Sequence, residues 1–215
     1  MSTRGVPYVV GVVLEMVLAA GARGDPNAPN VSDRAAKRAP DARKAPKAAE
    51  SPFERAKAFY PEQIPPFMRV GVRKYDEAGE HYSVGYNRFF LLTTTACGFT
   101  AYFRPARGDV AAYLAANREE VLKVHPGAEV VATEKVVAEK NGKKHEGVKV
   151  TFKFEGEFGG LGKEQKLLSE LYVFRDAGPP NGGRFVKYRI TFPADQEKTE
   201  RKHLDKFLAD FPWPA

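Results

Sequence analysis

The chain holds one cysteine, Cys97, in 215 residues, which excludes an internal disulfide framework and any multi-cysteine metal site. Its four histidines, His81, His125, His145 and His203, show no metal-ligand spacing, and the HExxH pattern is missing. The nucleophile elbow GxSxG is missing too: Ser169 is followed by Glu170 inside an alternating, strand-like stretch. The glycines of GEFGGLGK, Gly156 to Lys163, fit neither phosphate-loop nor dinucleotide-loop spacing, and they join two strands instead of opening a helix. Glu119 and Glu120 are adjacent on a helix, about 100° apart, and so do not face one another as paired acids do. The sequence therefore assigns no catalytic residue, no metal ligand and no cofactor. The balance falls against an enzyme, the alternative being a hydrolase-like enzyme whose site of tyrosine or carboxylate groups no motif reveals. Cys97, flanked by Ala96, Gly98 and Phe99, reads as a small core residue.

Long apolar runs are scarce as well. The longest is VPYVVGVVLEMVLAAGA, Val6 to Ala22, which is short for a transmembrane helix and is interrupted by Glu15. With the basic start MSTRG before it and the small-x-small ending Ala20-Gly21-Ala22, it predicts a secretory signal peptide over residues 1–22. No cysteine follows that ending, which excludes lipid attachment there. Export to the periplasm or the medium is the expected destination. The next stretch, RGDPNAPNVSDRAAKRAPDARKAPKAAE, lacks aromatics and has Val31 as its one large aliphatic residue. Such a segment cannot bury enough surface to offset its ordering entropy, so residues 23–50 read as a disordered basic Ala/Pro-rich linker.

The net charge is +7, and the linker supplies +3 of it, leaving +4 for residues 51–215. A basic balance placed partly in a tether argues against a folded nucleic-acid groove, so no specific nucleic acid is expected. The tether's cations allow a weak association with an anionic membrane surface.

Order is predicted from Ser51, as a single domain over residues 51–215. SPFE carries an N-cap serine, a first-turn proline and a capping-box glutamate, and Pro61, Pro65 and Pro66 stop that helix. Beyond Phe67 the apolar period becomes two. FMRVGVRKY and EHYSVGYNRFF read as a hairpin about Asp76-Glu77-Ala78-Gly79, and LTTTACGFTAYFRPA as a third strand. Asp109 caps a helix from about Val110 to Val124. AEVVATEKVVAEK turns through Asn141-Gly142 into GVKVTFKFEG, and KLLSELYVFRD turns through DAGPPNGG into RFVKYRITFP. A last helix from Asp195 carries Leu204, Phe207, Leu208 and Phe211 on one side, with Trp213 folding back as a lid. The expected fold is an α/β (α+β) sandwich: a mostly antiparallel sheet of about six to seven strands with helices packed on its faces.

The stretches FYPEQIPPFMRVGVRKY, SVGYN, AYFRPA, SELYVF and FVKYRITFP, closed by a helix and FPWP, resemble small exported bacterial proteins of uncharacterised function. Their architecture is similar to the PsbP-like sandwich. The resemblance spans Ser51 to Ala215 and implies that fold, used for scaffolding and binding. It implies no functional residues.

The candidate surface comes from FVKYRITFP. Pairing it with SELYVFRD so that apolar faces match sets Leu171 against Tyr188, Val173 against Val186 and Ser169 against Ile190. The opposite face then joins Glu170 to Arg189, Tyr172 to Lys187 and Phe174 to Phe185. Read plainly, that face is sheet surface under a helix. Read functionally, it is an amphipathic surface for an unknown envelope protein or an anionic ligand, with Lys187 and Arg189 as the anion contacts.

Overall fold

The computed structural model describes residues 50–90, 94–176 and 183–214, all within the unit Glu50–Ala215. The signal-like segment, the linker up to residue 49 and most of the DAGPPNGG turn lie outside the described residues. Helix α1 is Pro52–Phe59, and the Ser51 hydroxyl accepts from the Glu54 N–H at 3.3 Å, as the capping signature requires. Strands β1 (Gln63–Ile64), β2 (Phe67–Lys74), β3 (Tyr82–Phe90) and β4 (Thr94–Pro105) follow. Helix α2 is Val110–Val124, with the Asp109 carboxylate accepting from the Ala112 N–H at 2.8 Å. Then come β5 (Glu129–Lys140), β6 (Lys143–Glu157), β7 (Glu164–Asp176), β8 (Arg184–Pro193) and, after one 3-10 turn, α3 (Glu197–Asp210). Between β5 and β6, Asn141 and Gly142 both take left-handed backbone angles (φ 53° and 71°), which matches the twist of a two-residue hairpin.

All eight strands form one sheet in the order β1-β2-β3-β4-β8-β7-β6-β5, and every pair is antiparallel. Each half is a helix followed by a four-stranded meander, and the halves are stitched together by β4 against β8. The count exceeds the expected six to seven because Gln63–Ile64, caught between Pro61 and the Pro65-Pro66 pair, makes a two-residue strand against Phe67 and Met68.

Helices cover both faces of the sheet. On one face α1, α3 and the C-terminal segment bury Tyr82, Val84 and Tyr86 of β3, Phe99 and Phe103 of β4, and Val186, Tyr188, Ile190 and Phe192 of β8. Phe207 lies 4.3 Å from Phe67 and 4.7 Å from Phe99, and Phe211 stacks on Tyr60 at 5.3 Å, ring centre to ring centre. Trp213 is buried as the lid the sequence suggests, in edge contact with Phe174 at 5.5 Å. On the other face α2 sets Val121 over Val150, Phe152, Phe154, Leu167, Leu171 and Val173. Truncating one such core phenylalanine to alanine costs about 3–5 kcal/mol.

This double coverage corrects the register read from sequence. Leu171 stands opposite Arg189, Val173 opposite Lys187 and Ser169 opposite Thr191, one residue away from the expected pairing. Glu170, Tyr172 and Phe174 instead face Ile190, Tyr188 and Val186. Matching apolar faces decides a register when one face is wet. Here both faces of β7 and β8 are largely buried, and on the α2 face Lys187 bonds Asn117 while Arg189 bonds Ser169.

Candidate functional site

The corrected register divides the six candidate residues between the two faces of the sheet. Glu170, Tyr172 and Phe174 lie under α3 and the C-terminal segment, and Phe185, Lys187 and Arg189 lie on the α2 face. They do not form one surface. Phe185 is buried against Tyr113 of α2, the rings parallel at 4.5 Å. The Lys187 ammonium donates to Asn117 Oδ1 at 2.8 Å and sits 4.1 Å from the centre of the Tyr102 ring, so α2 and β4 both hold it. Arg189 Nε donates to Ser169 Oγ at 2.8 Å, and that hydroxyl donates on to the Ile190 carbonyl at 3.1 Å. Both cations of this face therefore serve internal contacts.

On the opposite face the polar group is denser. Glu170, 1 % exposed, receives Arg201 of α3 through two hydrogen bonds, at 2.7 Å and 3.0 Å. The Tyr172 hydroxyl donates to the same carboxylate at 3.0 Å. Lys149 lies 3.9 Å from Glu170 and 2.5 Å from Glu134 on the edge strand. Next to Arg201 in the chain, Glu200 is fully buried and accepts from Nε and NH2 of Arg88, the former at 2.7 Å. Burial and the adjacent Glu170 charge push the Tyr172 phenol well above its ordinary value, while the bonds to Glu170 push Arg201 further up. A carboxylate neutralised by a bidentate guanidinium, beside a tyrosine held protonated, is poorly set to move protons. What it does is fasten α3 to β7.

A concavity of about 1020 Å³ lies at the outer end of the sheet, around the β5–β6 hairpin. Lys143, Lys144 and Arg175 border it, with the His145–Trp213 pair in its wall. His145 stacks on Trp213 at 4.1 Å between ring centres and holds its Nδ1 3.6 Å from Asp176 Oδ1. Lys140 is spent elsewhere, donating to the carbonyls of Leu208, Ala209 and Phe211 and closing the C-terminus of α3. Lys144 meets Glu139 at 3.4 Å, both exposed. The side chains of Lys143 and Arg175 make no ion pair or hydrogen bond among the described residues. The sequence carries a signal for this cleft in the run EKNGKKHEG. The run alone does not mark His145 as part of a wall, because nothing local shows that Trp213 returns to the hairpin.

Cys97 is buried, and that burial raises its thiol far above the usual range, so it sits as the inert core residue its neighbours suggest. His125 stacks on Phe154 at 4.0 Å, and burial followed by the Arg189 charge lowers its pKa. Among the described residues no group of three or more His, Cys, Asp or Glu side chains could hold a metal ion. No helix of the described residues is long and apolar enough to cross a membrane.

No protein-family model matches the chain. No curated protein matches it either. Solved structures similar to it include a protein of unknown function from Pseudomonas aeruginosa, at 15 % identity and a TM-score of 0.39, covering 71 % of this chain and 87 % of that one. They also include the cyanobacterial PsbP protein, CyanoP, of Synechocystis sp. PCC 6803, at 11 % identity and a TM-score of 0.35, covering 66 % of this chain and 94 % of that one.

Proposed function

We propose that this chain is an exported, non-catalytic binding or scaffold module of the cell envelope, and that its hairpin cleft receives an acidic protein segment. The observation that carries the reading is the cleft itself: about 1020 Å³ of concave space bordered by Lys143, Lys144 and Arg175, two of which have no side-chain partner among the described residues. A concave wall of apolar rings with a few cations at the rim is the usual composition of a site that orients an anionic partner. The signal-like segment and the basic linker support placement in the envelope, and the PsbP-like resemblance of the strand and helix motifs belongs to the same proposal. A tethered module of this kind would hold its partner by charge and shape.

The experiment is a fluorescence titration of the full chain with a labelled oligoglutamate peptide at physiological salt. Binding that is lost in the K143E/R175E double variant, yet kept when the same number of linker cations is reversed, supports the cleft. Binding that follows the linker, or that appears only with phosphatidylglycerol vesicles, overturns it. Export is tested separately by the intact mass of the chain in fractionated cells. A chain beginning at Arg23 in the exported fraction supports it, and a full-length cytosolic chain refutes it.

A further inference from the structure

Strand β5 is one of the two edge strands of the sheet and, among the described residues, is hydrogen-bonded on one side only, to β6. It is long for an edge, running Glu129–Lys140, and Val131 and Val137 stand 51 % and 58 % exposed on it. Natural proteins seldom leave such an edge open, and they usually guard it with a charge, a proline or a bulge. One irregularity is present, between Val130 and Ala132, and from Ala132 to Lys140 the ladder to β6 is regular. The exposed edge therefore has a straight segment, Glu134–Lys140, with no proline in it.

The order of charges in that segment is unusual. It reads Glu-Lys-Val-Val-Ala-Glu-Lys. Two antiparallel copies related by a two-fold axis normal to the sheet must pair residues of equal parity, because opposite residues point to the same face. Centring the axis on Val137 sets Lys135 against Glu139 of the partner subunit, while Glu134 stays with Lys149 and Lys140 with the α3 carbonyls. Val136 then faces Ala138 of the partner subunit, and Val137 faces its own copy. Centring on Lys135 or on Glu134 opposes like charges at the axis, and centring on Val136 or Ala138 sets every charge against an apolar or neutral residue. One register therefore satisfies both the charges and the exposed valine.

The backbone agrees. Lys140 and Lys143 close the two-residue turn as a hydrogen-bonded pair, so Ala138, Val136 and Glu134 direct their N–H and C=O groups to β6. By alternation Lys135, Val137 and Glu139 direct theirs outward. These are the three residues that meet one another in the Val137-centred register. Of their side chains, Lys135 makes no ion pair or hydrogen bond among the described residues, and Glu139 meets only the exposed Lys144.

We propose that the β5 edge is the dimer interface of this protein, joining two eight-stranded sheets into one continuous sheet through antiparallel pairing of Glu134–Lys140 about Val137. The same Lys135 and Glu139 that would repel a random strand select a second copy of this chain in one register. The two hairpin clefts come to flank the shared axis. Lys135, Val136 and Val137 also line the hairpin cleft, so pairing would take up part of its wall; the inference rests on the edge backbone and its charges and needs no ligand in the cleft.

The test is sedimentation velocity of the full chain from about 1 µM to about 500 µM, a range that spans weak strand-mediated association. A concentration-dependent dimer is expected. V137P removes an outward N–H that the monomer ladder does not use, and it should abolish the dimer while circular dichroism stays unchanged. K135E opposes like charges twice across the axis and should raise the dissociation constant about tenfold or more, and K135E/E139K should restore it. A wild-type monomer throughout the range overturns the proposal. So does a dimer that survives V137P and K135E, or one that the charge swap fails to restore.

Discussion

Replacing Arg88 by methionine tests whether α3 is held by ionic contact or by apolar packing. Glu200 has no solvent exposure, and its carboxylate accepts from Arg88 Nε at 2.7 Å with a second bond from NH2. The Arg88 side chain is itself only 15 % exposed, so little water can replace it. Methionine fills much of the same volume but leaves a buried carboxylate without a counter-charge, which costs about 3–5 kcal/mol. A domain of this size is stable by about 5–15 kcal/mol in total, so about a fifth or more of the margin is at stake. At about 2–4 °C per kcal/mol the melting temperature should fall by about 6–20 °C. Urea denaturation read by tryptophan fluorescence measures it, since Trp213 sits in the core that α3 closes. The double variant R88M/E200L removes both charges and should recover most of the loss, because an apolar pair of similar shape suits that site. An exposed pair serves as control: Lys57 and Glu54 lie 2.9 Å apart, about half exposed, and K57M should change stability by less than about 0.5 kcal/mol. A loss below about 1 kcal/mol for R88M, or a double variant as unstable as R88M, would refute the reasoning.

Three further outcomes follow from single positions. A Cβ added at Gly147 would meet the Phe174 ring and the Val173 carbonyl oxygen at 2.6 Å, so G147A should cost about 1–3 kcal/mol in urea denaturation; an unchanged midpoint would show that the sheet yields there. Tyr188 is 3 % exposed and its hydroxyl has no hydrogen-bond partner among the described residues, so Y188F should leave stability unchanged or raise it by up to about 1 kcal/mol, and a clear loss would reveal an unrecognised bond. The pKa of His125 is lowered from 6.5, first by burial and then by Arg189. Above 6.5 both states are neutral there and His125 costs nothing. Below it the unfolded chain takes a proton that the folded chain refuses, so stability declines as pH falls from 6.5 toward the folded-state value. H125L should flatten that part of the pH–stability curve, and a curve of unchanged slope would exclude His125 as its source.

Most of the elements of the fold were legible because their signals are local. Ser51 and Asp109 cap the helices they were expected to cap, and Asn141-Gly142 makes the hairpin its letters announce. Strand β1 escaped because two residues between prolines carry no period. The candidate surface failed for a more instructive reason. A register argument needs one face to be distinguishable from the other, and Leu171, Val173, Phe174 and Phe185 make both faces of β7–β8 apolar. Lys187 and Arg189 look like surface cations in an alternating strand, yet Asn117 and Ser169, one on a helix about 70 residues away, provide their partners. No local pattern contains that information. The hairpin cleft is intermediate: its lysines are visible as a run, but its aromatic wall is assembled from His145 and Trp213, far apart in the chain.

The junction of β4 with β8 has a consequence for how the protein reaches its folded state. Each meander can assemble from neighbouring hairpins, but β4 finds its outer neighbour only when Arg184–Pro193 arrives, some 80 residues later. In a chain made or threaded from its N-terminus, the first half-sheet must wait with the outer edge of the Phe99–Phe103 strand unpaired and with α3, the cover for its apolar face, still to come. Docking that waits on such distant contacts is slow relative to hairpin formation. The exposed strand is then the segment most open to misassociation, and a holding chaperone would be expected to bind there during that interval, releasing the chain as β8 slides into the gap.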